Sequence, residues 1–420
     1  MIEAVETVVV GGGQAGLALS YHLGRLGREH VVLERQRLAE RWRSERWDSL
    51  AFQFPSWSIR LPGHAYETDD PEGFAPRDEV VRFLERYREV IRAPVRTGVR
   101  VLTVTARPGR ARFLVETDGG CLETANVVAA TGPYQAPVLP AAAAAMPSTL
   151  FQVHSSRYRN PGALPPGAVL VVGSGASGCQ IAEDLVAAGR HVYLSVGRHA
   201  RMPRRYRGHD IFWWLDLIGR LDQTVDDRPP SKRGPNPLVT GAGGGHDIDL
   251  RRYAADGMVL LGHLRGVHSG QLALAPDLDA ELARGDEAFA AVTAMVDEHV
   301  LKTGLDALPA DPIRAAPAGR GPRIDAPHEL DLAAAGVTSV VWPPAIAPTS
   351  AGSGFPSSTS AASPSTAAGS PPAPASTSSA CRGSGSSSPP CSAAWARTPN
   401  TSPRISRPRA RGPRRLGSAS

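Results

Sequence analysis

Thr7-Val-Val-Val-Gly-Gly-Gly-Gln-Ala-Gly16 is the stretch that decides the fold. Thr7 to Val10 is a run of β-branched residues with no polar alternation, which predicts a parallel strand buried on both faces. The glycines come next, followed by Leu19, Leu23 and Leu26 at helical spacing. A second apolar strand, His30 to Leu33, ends in Glu34. Strand, glycine turn, helix and strand form a βαβ unit, and each residue of the turn has a task. Gly11 permits the tight turn, Gly13 lets a pyrophosphate approach the backbone, and Gly16 lets the helix pack on the strand. Gly12, Gln14 and Ala15 complete the loop, whose free N–H groups and helix dipole favour phosphate. Glu34 is placed to accept hydrogen bonds from an adenosine ribose, and Arg35 follows it.

The pattern recurs. Ala168 to Val172 is an apolar strand, and Gly173-Ser-Gly-Ala-Ser-Gly178 follows it. Gly173, Ser174, Gly175, Ala176, Ser177 and Gly178 are therefore candidate contacts to a second dinucleotide. Ile181, Leu185 and Val186 mark the helix, and His191 to Ser195 the next strand. The counterpart of Glu34 falls near Val196, so no acid stands there. Arg198 comes just past the strand, with Arg201, Arg204 and Arg205 beyond. A carboxylate repels a 2′-phosphate whereas a guanidinium pairs with it, so the sequence predicts NADPH rather than NADH. Arg198 is the leading candidate, and a solvated basic loop is the alternative for any one of these arginines. Between the units, Val99–Thr105, Arg112–Thr117 and Cys121–Ala125 read as short β segments. Val127-Val-Ala-Ala-Thr-Gly132 is another strand and turn, and places Thr131 beside the first site.

Composition is consistent with a globular enzyme. The 420 residues are 42% hydrophobic and 20% charged, enough for two cores. The net charge is +6, yet residues 343–420 carry eight arginines and no acid. The rest of the chain is therefore slightly acidic, which argues against a nucleic-acid partner. No apolar run approaches the roughly 20 residues of a membrane span. The chain enters its first strand almost directly after Met1, which leaves no room for a signal peptide and predicts a cytoplasmic setting. Cys121, Cys179, Cys381 and Cys391 make neither a disulfide framework nor a metal-ligand pattern.

Two such motifs with Ala-Thr-Gly between them resemble the flavin-containing monooxygenase family, and in particular its bacterial single-component members. The resemblance covers roughly residues 5 to 342. Arg41-Trp-Arg-Ser-Glu-Arg-Trp-Asp-Ser-Leu50 is similar to the family's tryptophan segment along the flavin, which implies Trp42 as a cofactor contact; core packing is the other reading for Trp42 and Trp47. Phe74 to Tyr87 is similar to the following helix. The family fingerprint between the sites is half present, as His154-Ser-Ser-Arg-Tyr158. Ser148 and Leu150 replace its phenylalanine and glycine, a departure that favours a divergent subgroup. For Pro203 to Leu217, rich in cations and aromatics, a core-lining helix and a lid over the substrate are both open.

The resemblance implies an α/β fold of two Rossmann-like domains, an FAD domain with an inserted NADPH domain, and a low-complexity C-terminal tail. The expected limits are 1–160 for the FAD domain, 161–325 for the NADPH domain, 326–342 for a truncated return to the FAD domain, and 343–420 for the tail. The implied function is an FAD- and NADPH-dependent monooxygenase acting through a flavin hydroperoxide on a small organic substrate with O₂. An NADPH oxidase or quinone reductase, or an inactive remnant, stands as the alternative. A thioredoxin-reductase-like chemistry needs a CxxC, which the sequence lacks.

After Val340-Val-Trp342 the composition turns abruptly to Ser, Ala, Pro, Gly and Thr. A family member continues with Ala-Thr-Gly-Tyr at this point. Codons for Pro343 to Gly352 can be chosen to read ATGYRPDFGW in the neighbouring frame, and those for Ala375 to Gly383 to read GLYFLGLPW. The expectation is a frameshift after Trp342 and weak flavin retention in the literal chain.

Overall fold

The opening apolar run forms strand β1, Glu3–Val10, followed by helix α1, Gln14–Arg25, and strand β2, His30–Glu34. Helix α2, Arg77–Val90, and strand β3, Val95–Thr97, come next. Strands β4, Val101–Ala106, β5, Phe113–Thr117, and β6, Gly120–Ala129, then make a meander. This computed structural model describes residues 2–107, 112–132, 137–224, 226–227, 237–305, 308–309 and 324–343. The first sheet runs β3-β2-β1-β6-β5-β4. Its first four strands are parallel, and the last two turn back as antiparallel neighbours. β1 sits at the centre because Val8 and Val9 face opposite sides and both are fully buried. α1 and α2 cover one face through Leu17, Val80, Leu84 and Tyr87, and the meander closes the other through Val104, Val115 and Leu122.

The second unit repeats the scheme. It contains β7, Phe151–His154, β8, Ala168–Val172, α3, Ala176–Ala187, and β9, Val192–Ser195. Further along are α4, Ile211–Leu217, β10, Val259–Leu261, α5, Leu278–Thr303, and β11, Val337–Trp342. The sheet order is β10-β9-β8-β11-β7, all parallel. Strands 264–268, 271–274 and 329–331 form an antiparallel group before β11, as β4 and β5 precede β6.

Two domain limits are corrected by this topology. Residues 337–342 do not return to the first sheet: β11 lies between β8 and β7 in the second. The physical reason is that β8 is apolar on both faces and needs a ladder partner on the side away from β9. β11, itself almost wholly buried, supplies it, as β6 does for β1. The boundary expected at 160/161 also moves, because β7 already belongs to the second sheet. The frameshift and the tail expected beyond Trp342 fall outside the described residues, apart from Pro343.

Pro343 has a distinctive position. In the first unit Val10 is paired with Ala129, and the Ala130 N–H donates to the Val10 carbonyl at 2.8 Å. In the second, Val171 is paired with Val341, so Trp342 stands where Ala129 does and Pro343 where Ala130 does. Proline has no N–H to give the Val172 carbonyl. Replacing Pro343→Ala restores that donor and is expected to raise unfolding stability by about 1 kcal/mol. Urea denaturation of the two proteins checks this, and a variant no more stable than the parent contradicts it.

Candidate functional site

The site is built on the two turns where a strand hands over to a helix. Gly11 has φ +113° and Gly173 φ +122°, values in which a side chain is strained. A methyl on Gly16 would overlap the Gly11 carbonyl oxygen, and one on Gly178 would overlap that of Gly173. Gly13 and Gly175 are different, since a Cβ there meets nothing within 4 Å. They face open space at the N-termini of α1 and α3. Neither helix has a side-chain cap or an acid in its first turn, so the dipole end is left uncompensated. Gln14 and Ala15 begin α1, and Ala176 and Ser177 begin α3.

The strand ends carry opposite chemistry. Gly11 N–H donates to Leu33 O at 2.8 Å, and Gly173 N–H to Ser195 O at 3.0 Å. The residues after these carbonyls, Glu34 and Val196, are therefore structural counterparts. Glu34 accepts from the Gly12 N–H at 2.8 Å and the Gln36 N–H at 3.1 Å, which fixes its carboxylate beside the first glycine loop. Val196 is fully buried. There the loop is tied by a hydroxyl: the Gly197 N–H donates to Ser174 Oγ at 3.0 Å.

Beyond Val196 the arginines separate by role. Arg201 is held by Asp249 at 2.6 Å and Asp286 at 3.2 Å and lies over the Phe289 ring. Arg204 is buried against Asp210 at 2.7 Å. Arg205 is exposed and donates to the Glu72 carbonyl at 3.4 Å. Arg198 is exposed and has no hydrogen-bond or ion-pair partner among the described residues. Of the four, it is the cation left free beside the second loop.

The aromatic residues also divide. Trp42, in the short helix Glu40–Ser44, packs on the α1–α2 cluster 6.0 Å from the Phe52 ring. Trp47 is 5% exposed and belongs to the core of the second sheet. Thr131 follows β6, with its Cα beside Gly11, and Arg35 is exposed just past β2. Phe212 and Trp214 are buried, and the Trp214 indole N–H donates to Tyr206 O at 2.8 Å, so α4 is core-lining on that face. His154 ends β7 and is 7% exposed. Its Nδ1 accepts from the Ser156 N–H at 3.1 Å, which leaves the neutral ring protonated on Nε2. A feature missed in the sequence is the run Gly243, Gly244 and Gly245, all with positive φ, which sets Gly245 against the Phe74 ring of the first unit. Its signal was the glycine spacing itself, which only a turned backbone explains.

Comparison with known proteins finds relatives in sequence and in fold. A family model described as pyridine nucleotide-disulphide oxidoreductase matches residues 8–209. A CzcO-like oxidoreductase of Geobacillus kaustophilus is 38% identical over 228 residues, 54% of this chain and 64% of that protein. Indole-3-pyruvate monooxygenase YUCCA4 of Oryza sativa subsp. japonica is 31% identical over 255 residues, 54% of this chain and 56% of that protein. In structure, a flavin-containing monooxygenase from Stenotrophomonas maltophilia aligns with TM-score 0.54 at 18% identity, covering 83% of this chain and 80% of that one. The chain is similar to these oxidoreductases and monooxygenases, and the structural likeness at 18% identity shows the shared fold. Like them it has a mixed α/β fold with parallel sheets and Rossmann-type nucleotide units. It spans less than two thirds of the length of the curated relatives named above.

Among the described residues, no helix is long and apolar enough to cross a membrane, and no three metal-ligating side chains converge. Burial holds His154 and His199 below the ordinary imidazole range. Their stabilising neutral form is complete above the unfolded value near 6.5 and is lost as pH falls through it. His246 runs the other way, because its hydrogen bond to Glu183 raises it. The contribution of His246 changes only above 6.5 and is complete below it, so the two depressed histidines set the histidine slope there. Unfolding free energy is therefore expected to fall below pH 6.5, by up to about 1.4 kcal/mol per pH unit for each buried histidine. His154→Gln should flatten that slope in denaturation curves from pH 7.5 to 5.5; an unchanged slope contradicts the assignment.

Proposed function

We propose that this chain is an FAD-dependent, NADPH-using oxidoreductase, a monooxygenase acting on a small organic substrate with O₂. The observation that carries the reading is the contrast between the two strand ends. The same glycine geometry is followed by a fixed carboxylate in one unit and by a free guanidinium in the other. A ribose diol is bound by the former, and a 2′-phosphate is repelled by the former and attracted by the latter.

The residues present fit both dinucleotides. Gly13 and Gly175 leave the space that a pyrophosphate needs, and the uncapped N-termini of α1 and α3 supply its N–H donors. Gly11, Gly12, Gly13, Gln14, Ala15, Gly16, Glu34 and Arg35 would hold FAD, with Thr131 and Trp42 beside the loop and its helix. Ser174, Gly175, Ala176, Ser177 and Arg198 would hold NADPH, with Gly173 and Gly178 shaping the turn. When bound, the flavin supplies hydride acceptance and the activation of dioxygen. The protein's share is to bind, orient and exclude water, so a catalytic triad is not required.

The disulfide chemistry in the family model's description is not proposed for this chain. Cys121 and Cys179, the described cysteines, are both free, and burial pushes the Cys179 thiol well up, which leaves it unreactive.

Arg198→Glu tests the reading. It is expected to weaken NADPH binding by about 10- to 100-fold while changing NADH binding less than threefold, in line with the loss of a charge-assisted phosphate contact. Equal losses for both nucleotides, or none, would count against the assignment. Oxygenated product in step with NADPH use supports the monooxygenase; hydrogen peroxide alone favours an oxidase.

A further inference from the structure

The second unit grips the first at a buried point that the nucleotide loops do not explain. Arg204 is 1% exposed, and its Nε and Nη2 lie 2.8 and 2.7 Å from Asp210 Oδ2. Asp210 Oδ1 accepts from the Phe212 N–H at 2.9 Å, so the same carboxylate caps α4. The remaining arm crosses between units: Arg204 Nη1 donates to the Gln53 carbonyl at 2.7 Å. The Arg204 backbone N–H is itself fixed by Asp247.

Phe74 of the first unit completes the contact. The guanidinium carbon stands 4.4 Å from the Phe74 ring centre and 5.4 Å from that of Phe212. On the glycine side, a Cβ at Gly245 would overlap the Phe74 ring and one at Gly241 would overlap the Phe52 carbonyl. Phe54 and Phe212 meet at 4.3 Å between ring centres. Phe74 is thus a plug, and Arg204 with the glycine turn is its socket. Two units joined by ordinary polar contacts would be expected to move against each other. A planar cation held on three sides resists that motion, since sliding would strand a buried charge.

We propose that Arg204 is a positioning residue that locks the two nucleotide-binding units in register, so that the nicotinamide and flavin bound by them meet at a fixed separation. The idea rests on the FAD and NADPH reading given above. The lock predicts that loosening the socket slows electron transfer between the nucleotides without loosening either of them, because angstrom-scale misplacement costs about 100-fold in rate.

The experiment uses the full chain with its bound flavin and two kinds of variant. Phe74→Ala empties the socket from the first unit and leaves the Arg204–Asp210 pair intact; Arg204→Met and Arg204→Lys change it from the second. Amide exchange of peptides covering 51–57 is expected to quicken at least tenfold in Phe74→Ala, while β1 is unchanged. Anaerobic flavin reduction at saturating NADPH is expected to slow at least tenfold, with flavin content and NADPH affinity within threefold of the parent. Arg204→Lys should recover part of what Arg204→Met loses. Unchanged exchange and reduction in Phe74→Ala would overturn the lock, as would a loss explained wholly by weaker nucleotide binding. If the parent itself is not reduced by NADPH, the functional reading fails, and the exchange measurement still decides whether Arg204 and Phe74 hold the units together.

Discussion

A helix can begin against the carbonyl that ends a strand only where its facing residue has no Cβ. Gly16 on Gly11 and Gly178 on Gly173 meet that condition in the same way. The close approach aims the N-terminus of each helix at open space, with a glycine N-cap that makes no side-chain cap. Each unit then grows outward from it. The strand feeding the turn must lie at the centre of a parallel sheet, the helix must cover that sheet, and the following strand must end beside the loop. The two sheets, though different in sequence, are solutions of one steric problem.

Chemical identity is set one residue later. Glu34 and Val196 occupy equivalent positions, but one fixes an anion next to its loop and the other is fully buried. Arg198 supplies positive charge beside the second loop and has no ion-pair partner among the described residues. Arg201 and Arg204 are instead consumed by Asp249, Asp286 and Asp210, and act as internal ties. Charge near a nucleotide loop thus matters only where the fold leaves it unpaired.

Much of this was legible in the sequence because it is local. Glycine spacing, the apolar runs of β1 and β8, and the acid at the end of β2 are all read within some thirty residues. What was not legible depends on distant partners. Val337–Trp342 announces a buried strand, but its apolar pattern cannot say which of two sheets receives it, and the structure puts it in the second. Trp47 and Trp42 lie in the same short stretch, yet they enter different cores. Arg204 looks like any basic loop residue until Asp210, Gln53 and Phe74 are brought around it. Gly241 and Gly245 make sense only when the Phe74 ring is seen against the turn.

The central claim is that the first loop holds FAD and the second holds NADPH. The direct measurement is the visible spectrum of the purified chain, before and after one equivalent of NADPH is added without oxygen. A flavin absorbance band that bleaches with NADPH, and more slowly with NADH, is the predicted result. A chain that binds no flavin when FAD is supplied, or a bound flavin that NADPH leaves oxidised, would contradict the account.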